Sequence, residues 1–158
     1  MKVTILCVGK LKEKFYADAV NEYKKRISRF SELEIIEIPD ERIPENAKER
    51  ESEAVKVREG EHILSKIKSG SYVIALCVEG KLLSSEELAS DIRNACMRTS
   101  HIVFIIGGSL GLSDAVKSRA DLKLSFGRMT LPHMLMRVVL AEQIYRSFMI
   151  NSGAAYHK

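Results

Sequence analysis

Short apolar runs rich in β-branched residues recur along the chain: Val3–Val8 (VTILCV), Leu33–Ile38 (LEIIEI), Tyr72–Val78 (YVIALCV), His101–Ile106 (HIVFII) and Leu122–Phe126 (LKLSF). In Val3–Val8, Tyr72–Val78 and His101–Ile106 nearly every successive position is apolar, so both faces of such a strand must be covered. Between the runs lie helical patterns. Leu11–Phe30 repeats Phe15, Ala19, Tyr23 and Ile27 every four residues. Residues 47–68 are a charged helix with Val55, Ile63, Leu64 and Ile67 on its apolar side, and Ser84 with Glu87 forms a capping box at the start of another. Ser113–Arg119 reads as a short helix and Leu131–Ile150 as a long one. Strands buried on both faces and alternating with helices predict an α/β fold, a mainly parallel sheet flanked by helices, in one domain over residues 1–158.

Several classes of function are excluded at this point. No run of about 18 apolar residues exists, so no membrane span is expected. The N-terminal apolar run stops at Gly9 and charges resume at Lys10, Lys12 and Lys14, which reads as a buried first strand rather than a secretion signal. A cytoplasmic protein is the default expectation. Cys7, Cys77 and Cys96 are odd in number and form no C-x-x-C pair, so they read as small reduced core residues. His62, His101, His133 and His157 have no metal-ligand spacing, and no metal is expected.

The formal net charge of +4 hides an uneven distribution. Residues 1–30 and the stretch from Lys117 to Lys158 are basic, the latter with only Asp121 and Glu142 as acids, while residues 31–65 are acidic. Basic ends suit a polyanionic partner.

In parallel sheets ligands bind beyond the carboxyl ends of the strands. Three such ends carry glycines: Leu76–Gly80, Ile106–Gly111 and Phe126–Pro132. Gly107–Gly111 (GGSLG) is not the G-x-G-x-x-G of a dinucleotide site, and no G-x-x-x-x-G-K-[ST] occurs. Glycines for close backbone approach without a phosphate cradle suit a ligand with an adenosine but no phosphate, and S-adenosylmethionine (SAM) is such a ligand. Leu124–Arg137 (LSFGRMTLPHMLMR) adds a glycine turn, Thr130 as a helix cap, Pro132 in the first helical turn, and His133 and Arg137 one turn apart. Arg137 sits among apolar neighbours and needs a partner, either a carboxylate of the protein or an anion outside it. The last helix has thirteen apolar residues of twenty around most of its circumference, so it is buried on more than one side, by another subunit or by a second layer of the same chain.

The segments FIIGGSLGL, LSFGRMTLPHMLMRVVLAEQIYR and YHK, with the opening MKVTILCVGKLKEKF, resemble the RlmH family of SPOUT-class RNA methyltransferases over essentially the whole chain. The resemblance implies an α/β knot with a C-terminal trefoil, a homodimer with its active site at the subunit boundary, and SAM-dependent methylation of N3 of a pseudouridine in large-subunit ribosomal RNA of the assembled ribosome. Leu76, Gly107 and the loop Phe126, Gly127, Arg128, Met129, Thr130 and Leu131 fall on the family's cofactor positions. His133, Arg137, Tyr156 and His157 fall on its catalytic positions, with Arg137 and Lys158 toward the RNA. A non-enzymatic ribosome-associated RNA binder is the competing reading; it explains the basic ends but not three glycine-bearing strand ends.

Overall fold

The computed structural model describes residues 1–158. Five parallel strands, β1 (Lys2–Val8), β2 (Glu32–Ile38), β3 (Tyr72–Leu82), β4 (His101–Ile106) and β5 (Leu122–Ser125), stand in the order β2-β1-β4-β3-β5. The helices are α1 (Lys14–Ile27), α2 (Glu49–Lys66), α3 (Ser85–Cys96), α4 (Asp114–Arg119) and α5 (His133–Asn151). The strand alternation explains the layering. Val3, Ile5 and Cys7 of β1 point into one core with Ile74, Phe104 and the inner residues of α1, α3 and α5. Leu6 and Val8 point the other way, into a second core with Val73, Ile105, Ile63 of α2 and Val116 of α4. Each fully buried Ile, Leu or Phe contributes about 1.5–3 kcal/mol of transfer free energy, which is why a sheet apolar on both faces demands two helical layers.

Several sequence expectations shift at the local level. Spacing puts Phe15 on the apolar stripe of the first helix, yet it is 65% exposed, with its ring tilted by 50° against that of Tyr16. The buried positions are Val20 and Ile27, seven residues apart on one face, with Tyr23 packed beside them. Residues Glu79 and Gly80 were expected to end the third strand. Instead Leu76 and Lys81 both pair with Leu124, so Cys77–Gly80 bulges out of a strand that continues to Leu82. Gly80 permits this, because a Cβ there would stand 2.7–2.8 Å from backbone atoms of Lys123 and Leu124. The last strand stops at Ser125, and Pro132 rather than Thr130 holds the cap position of α5, without a side-chain cap bond. Pro132 contributes its carbonyl instead, which accepts from the Met136 N–H.

Helix α5 buries one stripe, Arg137, Leu140, Ala141, Ile144 and Ser147, between α1 and α3. Every other residue on it is half-buried, including Leu135, Val138, Val139 and Met149. No helix is long and apolar enough to cross a membrane.

Candidate functional site

A cavity of about 320 Å³ opens beyond the carboxyl ends of β3, β4 and β5. Its wall comes from the three strand ends singled out in the sequence: the Leu76–Glu79 bulge, the Ile106–Leu112 bend and the Leu124–Leu131 loop. Ile106, Leu112, Leu124 and Met136 give it an apolar lining, while Phe126, Met129 and Leu131 are exposed at its mouth. Gly107 is favoured by space: a Cβ there would lie 3.0 Å from the Gly111 carbonyl carbon and from Leu112 Cδ2, a tight contact that the bend would have to yield to. Gly127 is required by conformation, with φ at +123° and open space around the missing Cβ.

Of the expected cofactor positions, Leu76, Gly107, Phe126, Gly127, Met129, Thr130 and Leu131 line this cavity. Arg128 is exposed and stands off the wall. The sequence reading missed Cys77, taken there as a core residue, which is half-buried on the wall. It also missed Lys56 and the Glu79–Lys117 ion pair. Cys77 and Glu79 fall within the Leu76–Gly80 end named from the sequence, but Lys56 and Lys117 stand on α2 and α4, and no local pattern marks a contact between distant segments.

The wall's two lysines are already neutralised, Lys117 by Glu79 and Lys56 by Glu53 at 3.1 Å. A pyrophosphate would require free cations or a fan of helix-start N–H groups. An apolar slot bounded by backbone bends suits a flat, uncharged base, read through peptide N–H and C=O groups.

The expected catalytic residues separate into two places. His133 lies at the cavity wall at the start of α5. Arg137 is 1% exposed and is not part of the cavity lining, although its Nη2 and His133 Nε2 lie 4.0 and 3.8 Å from one point, where a Cβ on Gly9 would stand. Its guanidinium donates to Glu37 Oε2 at 2.8 Å and to the carbonyl oxygens of Gly9 at 2.5 Å and Val8 at 3.4 Å. Of the two partners left open by the sequence, the one present is an internal carboxylate. Burial pushes the Glu37 carboxyl up, but hydrogen bonds from Arg137 and the Leu11 N–H outweigh it and hold Glu37 below its ordinary value.

Tyr156 and His157 follow the end of α5 and fold back against Glu142, Tyr145 and Arg146 on that helix. Tyr156 donates to Glu142 Oε1 at 3.3 Å, packs edge-on against Tyr145 and lies under the Arg146 guanidinium. Arg146 donates to His157 Nδ1 at 3.1 Å; arginine only donates, so the His157 proton sits on Nε2, which donates to Glu86 Oε1 at 2.7 Å. Hydrogen bonds, His157's foremost, pull the Glu86 carboxyl down to about 2. Lys158 is exposed beyond them. Arg146 is thirteen residues beyond His133, about 20 Å along the helix. Within one chain, then, the two histidines do not meet.

Fold and site together define a parallel α/β domain with an apolar cavity at the carboxyl edge of its sheet, its two lysines paired. The family described as Predicted SPOUT methyltransferase matches residues 1–157, and the chain belongs to it. Over 159 aligned positions it is 58% identical to the ribosomal RNA large subunit methyltransferase H of Lactococcus lactis subsp. cremoris (strain SK11), and 55% identical to the protein of that name from Clostridioides difficile (strain 630). Both matches cover 100% of each chain. A Legionella pneumophila methyltransferase solved with bound cofactor SAM has the same fold, with a TM-score of 0.52 at 12% identity. That match covers 94% of this chain and 66% of the other.

Proposed function

We propose that residues 1–158 act as a single SAM-dependent methyltransferase domain that methylates N3 of a pseudouridine in large-subunit ribosomal RNA of the assembled ribosome, in the cytoplasm. The observation that carries this is the cavity itself: three strand-end bends enclose an apolar slot whose only lysines are already paired, with a histidine at its wall. The residues fit the donor. Ile106, Leu112 and Leu124 would hold its adenine by apolar contact, the Gly107 and Gly127 bends would offer backbone groups to it, and the paired lysines would leave no free cation against a sulfonium. Bound there, the donor supplies an electrophilic methyl group.

The chain's own work is positioning and proton handling. The imide N3–H of pseudouridine must lose its proton for nitrogen to attack, which requires a base or a cation beside the developing anion. His133 is the histidine on the cavity of its own chain. His157, about 20 Å along α5 from it, serves the cavity of a second protomer. This reading carries a homodimer in which the half-buried apolar residues of α5 form the shared face and each site is completed by the partner's terminal segment. It carries the C-terminal trefoil knot as well. Arg137 is a positioning residue, tying α5 to the Val8–Gly9 turn. Lys10, Lys12, Lys14, Arg128 and Lys158 offer basic surface for RNA.

Calorimetric titration with SAM and with NAD tests the ligand class; SAM alone should bind, and absence of SAM binding to the dimer favours the pure RNA binder. His133→Ala and His157→Ala should each cut turnover far more than SAM affinity. Normal turnover in both variants rules out a histidine base.

A further inference from the structure

One buried acid is unused by the reading above. Glu59, in the third turn of α2, is 6% exposed. A buried carboxyl costs free energy unless it is bonded, and Glu59 accepts one long bond, from the Glu41 N–H at 3.4 Å. Burial, with Asp40 and Glu41 nearby, pushes its pKa up. Arg58, the neighbouring cation, is committed to Glu41 by three hydrogen bonds of 2.6–3.0 Å.

What Glu59 faces is the cavity's glycine bend. A Cβ on Gly108 would lie 3.6 Å from Glu59 Oε2 and 3.1 Å from Val8 Cγ1, so these two side chains back the bend from behind. The next residue, Gly60, is required by the same junction. A Cβ there would collide with Ser113 Oγ and stand 3.1 Å from Ser113 Cβ. Ser113 caps α4, with its Oγ accepting from the Val116 N–H. Two consecutive residues of α2 thus abut the two ends of the Gly108–Ser113 segment. The bend closes on itself through the Gly111 N–H to the Gly108 carbonyl at 3.1 Å, but that bond does not decide how far the bend stands from the opposite wall.

We propose that Glu59 is a positioning residue for the methyl donor: wedged between the Gly107–Gly111 bend and the Asp40–Glu41 segment, its carboxyl sets where the bend stands and so how tightly the cavity grips its ligand. This rests on the reading that the cavity binds SAM. The test uses the full chain, with S-adenosylhomocysteine as the calorimetric probe. Glu59→Ala removes the wedge and should weaken binding by about tenfold or more through lost preorganisation. Glu59→Gln keeps the shape and the acceptor for the Glu41 N–H and should stay within about threefold. A second readout follows the Gly108 and Gly111 amide resonances of ligand-free protein against pH. In the native protein they should titrate with the Glu59 carboxyl carbon, and with neither Asp40 nor Glu41. In Glu59→Gln they should be flat.

A folded Glu59→Ala that binds the probe within twofold of native overturns the proposal, and so do glycine amides indifferent to Glu59. Should Glu59→Ala fail to fold, the Glu59→Gln resonances decide alone. Failure of the native protein to bind the probe would instead sink the reading of the cavity, and the resonance comparison would still judge Glu59.

Discussion

Arg137→Met removes the largest charged group in the core while keeping most of its volume. Native Arg137 satisfies two backbone carbonyls and pairs with Glu37, whose side chain is 37% exposed. Leaving a buried acceptor unpaired costs roughly 1–3 kcal/mol. Breaking a fully buried ion pair costs about 3–5 kcal/mol. Glu37 keeps the Leu11 N–H at 2.6 Å and some solvent, so the charge left behind is only partly stranded. The lower part of the range applies, about 3 kcal/mol, or roughly 6–12 °C in Tm for a domain of this size. Urea denaturation at matched protein concentration measures it, since the stability of the proposed dimer would depend on concentration. The acid limb gives a second check. Glu37 is held below its unfolded value, so its contribution is complete above that value, about 4.3, and is lost as pH falls through the folded pKa. The gap between native and Arg137→Met should therefore narrow on acidification. A loss below about 1 kcal/mol, or a gap unchanged from neutral pH to about pH 3, refutes the argument. A variant as stable as native but without turnover would show that Arg137 acts on substrate directly.

Two further outcomes follow from the structure. Gly80→Ala should cost about 1–3 kcal/mol, because the new methyl group meets the backbone of β5 at under 3 Å; an unchanged urea midpoint contradicts the close approach. Ribosome binding should weaken steeply with salt, in step with the number of phosphates contacted, and charge reversal at Lys10, Lys12 and Lys14 should flatten that slope; a salt-independent affinity argues against a basic RNA-binding surface.

The layers and most of the cavity were legible because they rest on local rules. Strands apolar on both faces need helices on both sides, and glycines at strand ends mark where something approaches closely. The three loops named from sequence are the loops that meet. What the chain does not reveal residue by residue is anything set by contact between distant segments. Phe15 fits the helical stripe by spacing, yet the core lies one position round, beneath Val20. Cys77–Gly80 reads as a strand end because a bulge has no period, only a partner strand. Arg137 and Glu37 are a hundred residues apart, and Glu59 looks like one more acid on a charged helix until the glycine bend is placed against it.

The central claim is that this cavity delivers a methyl group to one nitrogen of one nucleobase. Mass spectrometry of ribosomal RNA settles it most directly, using assembled ribosomes that lack the modification, incubated with the protein and SAM. The account predicts one added methyl group, on N3 of a single pseudouridine of the large-subunit RNA, lost in His133→Ala. No gain of mass, or a methyl group on a ribose hydroxyl instead, would contradict it.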